Sequence, residues 1–195
     1  DRLNLSPSEK EKLSKIERGK KALKSVNSKY IQLEMDHYHM ISDWFYFAIL
    51  SLAETETFKD NAQWISQRLN IKISEARLAL QRLERLNLLV RNKNGKLIAS
   101  GISIKTTSDI ASSALRKSHS DNLDLAKNSL EIDDISIRDH SSMTMAIDPA
   151  LLPEAKKLIQ EFRRKLTHFL ESEKKQEVYK LNIQLFPLSK KETNT

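Results

Sequence analysis

The 195 residues carry 39% hydrophobic and 30% charged side chains and a formal net charge of +7, a composition that builds a folded core and excludes a disordered tail. There is no cysteine, which excludes disulfides, thiolate metal sites and cysteine nucleophiles together and points to the reducing cytoplasm. No apolar run approaches the ~20 residues of a membrane span, and the opening residues DRLNLSPSEKEK do not resemble a signal peptide.

The chain begins at Asp1, not methionine, and reads as a piece of a longer or processed protein. Residues 1–29 hold 9 basic and 4 acidic side chains, and residues 30–58 hold none and 5. Residues 59–100 hold 9 and 3, and the remainder is nearly balanced at 15 and 14. A concentrated basic segment speaks to partners, not to fold.

In chain order, Ser6-Pro7-Ser8-Glu9 reads as a helix start: serine cap, proline in the first turn, glutamate returning to the cap. The helix behind it is basic and poor in apolar residues, and its interspersed glutamates favour a solvated face. Residues 25–36 read as a connector. Ser42 is placed to cap a second helix through SDWFYFAILSLAE, apolar around nearly its whole circumference and so expected at the centre of a packed unit. Asp60 or Asn61 caps a third helix with Ala62, Ile65 and Leu69 inward. A turn at Asn70–Ile73 leads to Ser74, expected to cap a fourth helix with Ala76, Leu80, Leu83 and Leu86 inward. Two short strands then flank Asn92–Gly95, where Asn94-Gly95 suits a tight hairpin.

A long helix is expected over 108–130 with Ile110, Ala111, Ala114, Leu115, Leu123 and Ala126 on its inner side. Residues 142–147 alternate, and Pro149 and Pro153 mark another helix with Leu158, Ile159, Phe162, Leu166, Phe169 and Leu170 in one stripe, running to about residue 171. Val178–Phe186 alternates as a half-buried strand that Pro187 ends. The predicted fold is α+β: a winged helix-turn-helix core (30–104), a connecting helix (105–135) and a C-terminal strand–helix–strand unit (136–195) for dimerisation or sensing.

A helix pair followed by a hairpin suits double-stranded DNA, with the second helix in the major groove and the hairpin on the backbone. The candidate contacts are Arg77, Gln81 and Arg82 on the helix face and Ser74 at its start. Arg91, Lys93, Asn94 and Lys96 supply the hairpin. Glu75 and Leu78 on the same face fit DNA less well, and winged helices also bind proteins.

Catalytic patterns are thin. Asp36-His37-Tyr38-His39 with Asp43 has no metal-ligand spacing, and Asp139-His140-Ser141 is adjacency without triad geometry. Only 3 glycines are present and no phosphate-cradling loop. No enzyme, cofactor or metal is expected.

ISDWFYFAIL, WISQRLNIKISEARLALQRLERLNLL, SALRKSH with AKNSLE, and YKLNIQLFPLSK together resemble an uncharacterised bacterial family with many paralogues per genome. The resemblance covers roughly residues 30–190. It implies a Cro-type helix-turn-helix domain upstream, with residues 1–29 as its last helix, and a role in transcriptional regulation; it carries no catalytic residue or ligand. The expected function is the DNA-binding and dimerising part of a regulator, a homodimer formed mainly by the long helix and the C-terminal unit, with an unidentified small-molecule or protein effector. The alternative is a sensory or protein-interaction module whose winged helix does not touch DNA.

Overall fold

The computed structural model describes residues 35–102, 108–171 and 174–190. The expected N-terminal helix and the 1–29 segment lie outside these residues. The fold is α+β: among the described residues, helices and one two-stranded antiparallel sheet are joined by irregular segments.

Residues 35–42 are helical (α1), and a break at 43–44 separates them from α2, Phe45–Leu52. The expected connector therefore stops short of residue 35. Ser42 is not the cap: it closes α1, so it lacks the extended backbone a cap needs, and Trp44 in right-handed helical conformation precedes α2. The buried Ser42 instead donates its hydroxyl to Asp43 Oδ1 at 3.1 Å. Only part of α2 meets the core, through Tyr46, Ile49 and Leu52, while Phe47 is 48% exposed.

Helix α3, Ala62–Leu69, starts where Asn61 Oδ1 accepts from the amides of Gln63 and Trp64, satisfying two of the orphan donors at a helix start. It ends on Asn70 at φ 51°, with the Ile71 amide reaching back to the Ser66 carbonyl at 3.1 Å. Helix α4, Ile73–Arg85, ends the same way: Asn87 sits at φ 56° and the Leu88 amide bonds the Leu83 carbonyl at 2.9 Å. Asparagine tolerates this left-handed conformation better than most residues, so each closes a helix and redirects the chain.

Strands β1, Leu89–Arg91, and β2, Leu97–Ala99, pair with Val90 opposite Ile98. The Gly95 amide bonds the Asn92 carbonyl at 2.9 Å and Asn92 Oδ1 accepts from the amides of Asn94 and Lys96. Gly95, at φ 75°, takes the positive-φ position, so this is a type I turn closed by a left-handed glycine, and Asn94 supplies no positive φ.

The core gathers Tyr46, Ile49 and Leu52 of α2, Ile65 of α3, Ala76, Ala79 and Leu83 of α4, and Leu89 and Leu97 of the hairpin. The inward sets expected for α3 and α4 hold, with Leu80 and Leu86 partly buried and Ala79 added.

Helix α5, Ser108–Ile132, follows the expected range, but only part of its expected inner side holds. Ala114 is buried as expected, whereas Leu115 and Leu123 are 46% and 52% exposed and Asn122 is buried; the side chains of Ile110 and Ala111 lie outside the described residues. A 3-10 turn at Pro149–Leu151, capped by Asp148 Oδ1, leads into α6, Leu152–Leu170. None of the residues of α6 is buried.

The strands of the expected C-terminal unit are corrected in one respect. Residues 142–147 and 178–186 have no ladder partner among the described residues. Alternation specifies which way side chains point, but a strand forms only when a neighbouring backbone is present. What the chain does supply is an anchor. The Glu56 amide bonds the Lys175 carbonyl at 3.0 Å, Arg68 bonds Glu177 at 2.6 Å, and Asn182 Nδ2 donates to the Asn122 carbonyl at 3.0 Å.

Candidate nucleic-acid interface

Helix α4 divides its polar residues between two faces. Ser74, Arg77, Leu78 and Gln81 are exposed, at the spacing that places them on one side of a helix. The structure leaves Ser74 one residue inside α4 instead of at its cap: Lys72 holds the cap position, in extended backbone, and its amide donates to Glu75 Oε2 at 2.8 Å. The helix start is thus closed by Glu75, whose negative charge suits the positive end of the helix and works against a phosphate at Ser74.

Arg82 turns the other way. Its Nε donates to Asp36 Oδ1 at 3.1 Å and its Nη1 to the Tyr46 hydroxyl at 2.6 Å, leaving the side chain 21% exposed. Arg85 joins it on the same carboxylate, with Nε to Oδ2 at 2.6 Å and Nη2 to Oδ1 at 3.0 Å. Asp36 is fully buried, and a buried carboxylate is tolerable only with such partners. Burial pushes the Tyr46 phenol above its ordinary range against the opposing pull of Arg82. The bond to Asp36 raises the Arg85 guanidinium further. Arg82 is therefore a cross-brace between α4 and the α1–α2 segment, and the outward position expected for it is corrected.

On the hairpin, Arg91 Nη1 donates to Asp60 Oδ2 and to the Gly95 carbonyl, each at 2.9 Å, and Nη2 lies 3.8 Å from Glu84 Oε1. These contacts tie the hairpin to the start of α3 and the end of α4. Lys93, Asn94 and Lys96 remain exposed at the tip. Among the described residues no ion pair engages Lys72, Arg77, Lys93 or Lys96. These four, with the neighbouring Gln81 and Asn94, lie exposed on α4, its cap position and the hairpin, where an external anion can reach them.

The acidic stretch 30–58 explains where the other cations went. Asp36 takes Arg82 and Arg85, Glu54 takes Lys175, and Asp43 takes Lys117 at 2.9 Å. Asp43 also bonds His39 Nδ1 at 2.9 Å, and Lys117 bonds Asp121 at 2.7 Å. Burial pulls the Asp43 carboxyl upward, but the bonds from Lys117, His39 and Ser42 together outweigh it and hold the group below the usual carboxylate value. Burial likewise works against the Lys117 ammonium, and its two carboxylate partners outweigh that. The sequence signal for these braces was a segment with five acids and no base beside one rich in bases. Its balance is satisfied inside the molecule in good part.

Beside the anchor of residues 174–178, Trp64 meets Phe58 edge-on at 5.9 Å and Arg68 lies 5.8 Å over the Trp64 ring. With Glu177 these side chains line a shallow, open groove. No group of three or more histidines and acidic residues converges among the described residues, and no helix among them is long and apolar enough to cross a membrane.

No curated protein and no solved structure matches the chain. One family model does, over residues 24–188, under the description Domain of unknown function (DUF4423). That match spans the helix pair, the hairpin, α5, α6 and the C-terminal extended segment, and the chain accordingly belongs to this uncharacterised domain family.

Proposed function

We propose that α3, α4 and the β1–β2 hairpin are a winged helix-turn-helix that binds double-stranded DNA as part of a bacterial transcriptional regulator acting as a homodimer in the cytoplasm. The observation that carries this is the split of α4. The Arg82–Arg85 side is locked to Asp36, while the side bearing Ser74, Arg77 and Gln81 stays exposed and without ion pairs. A solvent-facing arginine and glutamine on the second helix of such a pair can reach base edges and phosphates. Lys93 and Lys96 at the hairpin tip serve as phosphate contacts, and Asn94 can hydrogen-bond the backbone. The resemblance to regulators carrying a further helix-turn-helix upstream supports the same assignment.

The test is fluorescence anisotropy on a random duplex of about 30 base pairs, comparing the chain with R77E and K93E. Each reversal should weaken binding on all sequences and reduce the salt slope by about one. Unchanged binding by both variants overturns the interface.

One observation favours a second reading. Leu78 is 50% and Ile73 42% exposed on α4, apolar where DNA asks for polar contact. On that reading the same face holds a protein partner, and L78S abolishes partner binding while R77E leaves it intact.

A further inference from the structure

Residues 143–188 hold no buried side chain among those described. Of the 25 large hydrophobic residues left exposed among the described residues, 14 lie between Met143 and Leu188. Helix α6 has a one-sided apolar stripe, with Leu158 60% and Phe162 52% exposed, and such a stripe forms only to be covered.

The extended segment 178–186 shows how the cover is built. On its polar side Asn182 reaches α5, flanked by the exposed Lys180 and Gln184. Its other side, Tyr179, Leu181, Ile183 and Leu185, is 70%, 50%, 38% and 43% exposed. Both backbone edges lack a ladder partner among the described residues. An antiparallel pairing of this segment with itself about Asn182 sets Leu181 against Ile183 and Tyr179 against Leu185. It also sets Lys180 against Gln184, so no like charges meet. Self-pairing about a twofold axis closes on itself and does not propagate into fibres. Residues 101–195 carry 15 bases and 14 acids, so two copies do not repel, and no strongly charged partner is called for.

We infer that two copies of the chain join through residues 178–186 as a continuous antiparallel sheet, with the apolar stripes of the two α6 helices over its exposed face. The inference rests on the homodimeric part of the proposed function and is independent of DNA contact. Because the strand is bolted to α3 by Arg68–Glu177 and to α5 by Asn182, the pairing also fixes the separation of the two α4 helices.

The chain has no cysteine, so one introduced thiol reports on one contact. Light scattering on the intact chain at roughly ten micromolar should give the mass of a dimer. Under mild oxidation N182C should run as a covalent dimer on a non-reducing gel, because residue pairs across an antiparallel sheet lie within disulfide reach. L181K should shift the chain to monomer; should that variant fail to fold, the N182C cross-link carries the test. A monomeric chain, or a dimer in which N182C does not cross-link, overturns the inference. Loss of DNA binding with the cross-link intact counts only against the DNA interface.

Discussion

At the residue scale, the polar side chains sort into those that hold the molecule together and those it leaves outside, and Asp36 does most of the sorting. D36A strands two guanidiniums, but Arg82 and Arg85 are 21% and 45% exposed and can turn to water. The expected cost is therefore about 2–3 kcal/mol, below the ~3–5 of a fully buried broken pair, read as a shift in the urea midpoint. R82E should lower stability in step with any loss of DNA binding. R77E should leave the urea midpoint unchanged and weaken DNA binding alone. Asp43 carries a pH signature. Its folded carboxyl titrates below the ordinary value of 3.8, so its contribution is complete above that value and fades as pH falls through the folded one. D43N should flatten the acid end of the stability profile; an unchanged profile below about pH 4 would show that the bonds from Lys117 and His39 are not formed in solution. None of these partnerships can be read from composition, because pairing across 46 or 49 residues is a product of the fold. Only the contrast between an acid-only segment and a basic one hinted at it.

At the element scale, helices with an apolar period were legible to within a residue or two. The periods of α3 and α4 named Ile65, Ala76 and Leu83, and all three are fully buried. Caps were less legible. Asn61 was among the expected caps, but Ser42 and Ser74 were displaced because the chain was already helical at one and Glu75 closed the helix at the other. Asn70 and Asn87, the two residues that end α3 and α4, sit in left-handed backbone that the sequence marks only weakly. N70A and N87A should each cost about 1–2 kcal/mol, while the glycine variants should be near neutral, measured by thermal melts. Equal losses for alanine and glycine would mean the asparagine side chains matter more than their backbone. In α5 Ala114 is buried as expected, but Leu115 and Leu123, expected inward, face out, and Asn122 is buried in their place. Amphipathicity gives a helix its stripe and does not say which neighbour, in which copy, covers it. The same holds for Val178–Phe186, whose alternation was plain and whose partner was not.

At the scale of the whole molecule, the net charge of +7 overstates the surface offered to an anion. Of the nine cations in residues 59–100, Arg68, Arg82, Arg85 and Arg91 are held by carboxylates. Lys59 lies exposed ahead of α3, and Lys72, Arg77, Lys93 and Lys96, on α4, its cap and the hairpin, are the contacts a duplex would meet. A dimer joined through its C-terminal strands doubles that set and presents it twice to a two-fold site. The measurement to make is anisotropy on a random duplex across a salt series from about 50 to 200 mM. Four phosphates per chain give a slope near −3.6 and roughly a hundredfold loss of affinity over that range, and a dimer engaging both copies doubles the slope. A slope in that range, reduced by about one per engaged copy for each of R77E and K93E, is the expected result. No binding at the lowest salt, or binding indifferent to salt, would contradict a DNA-binding role for this face and leave α4 to a protein partner.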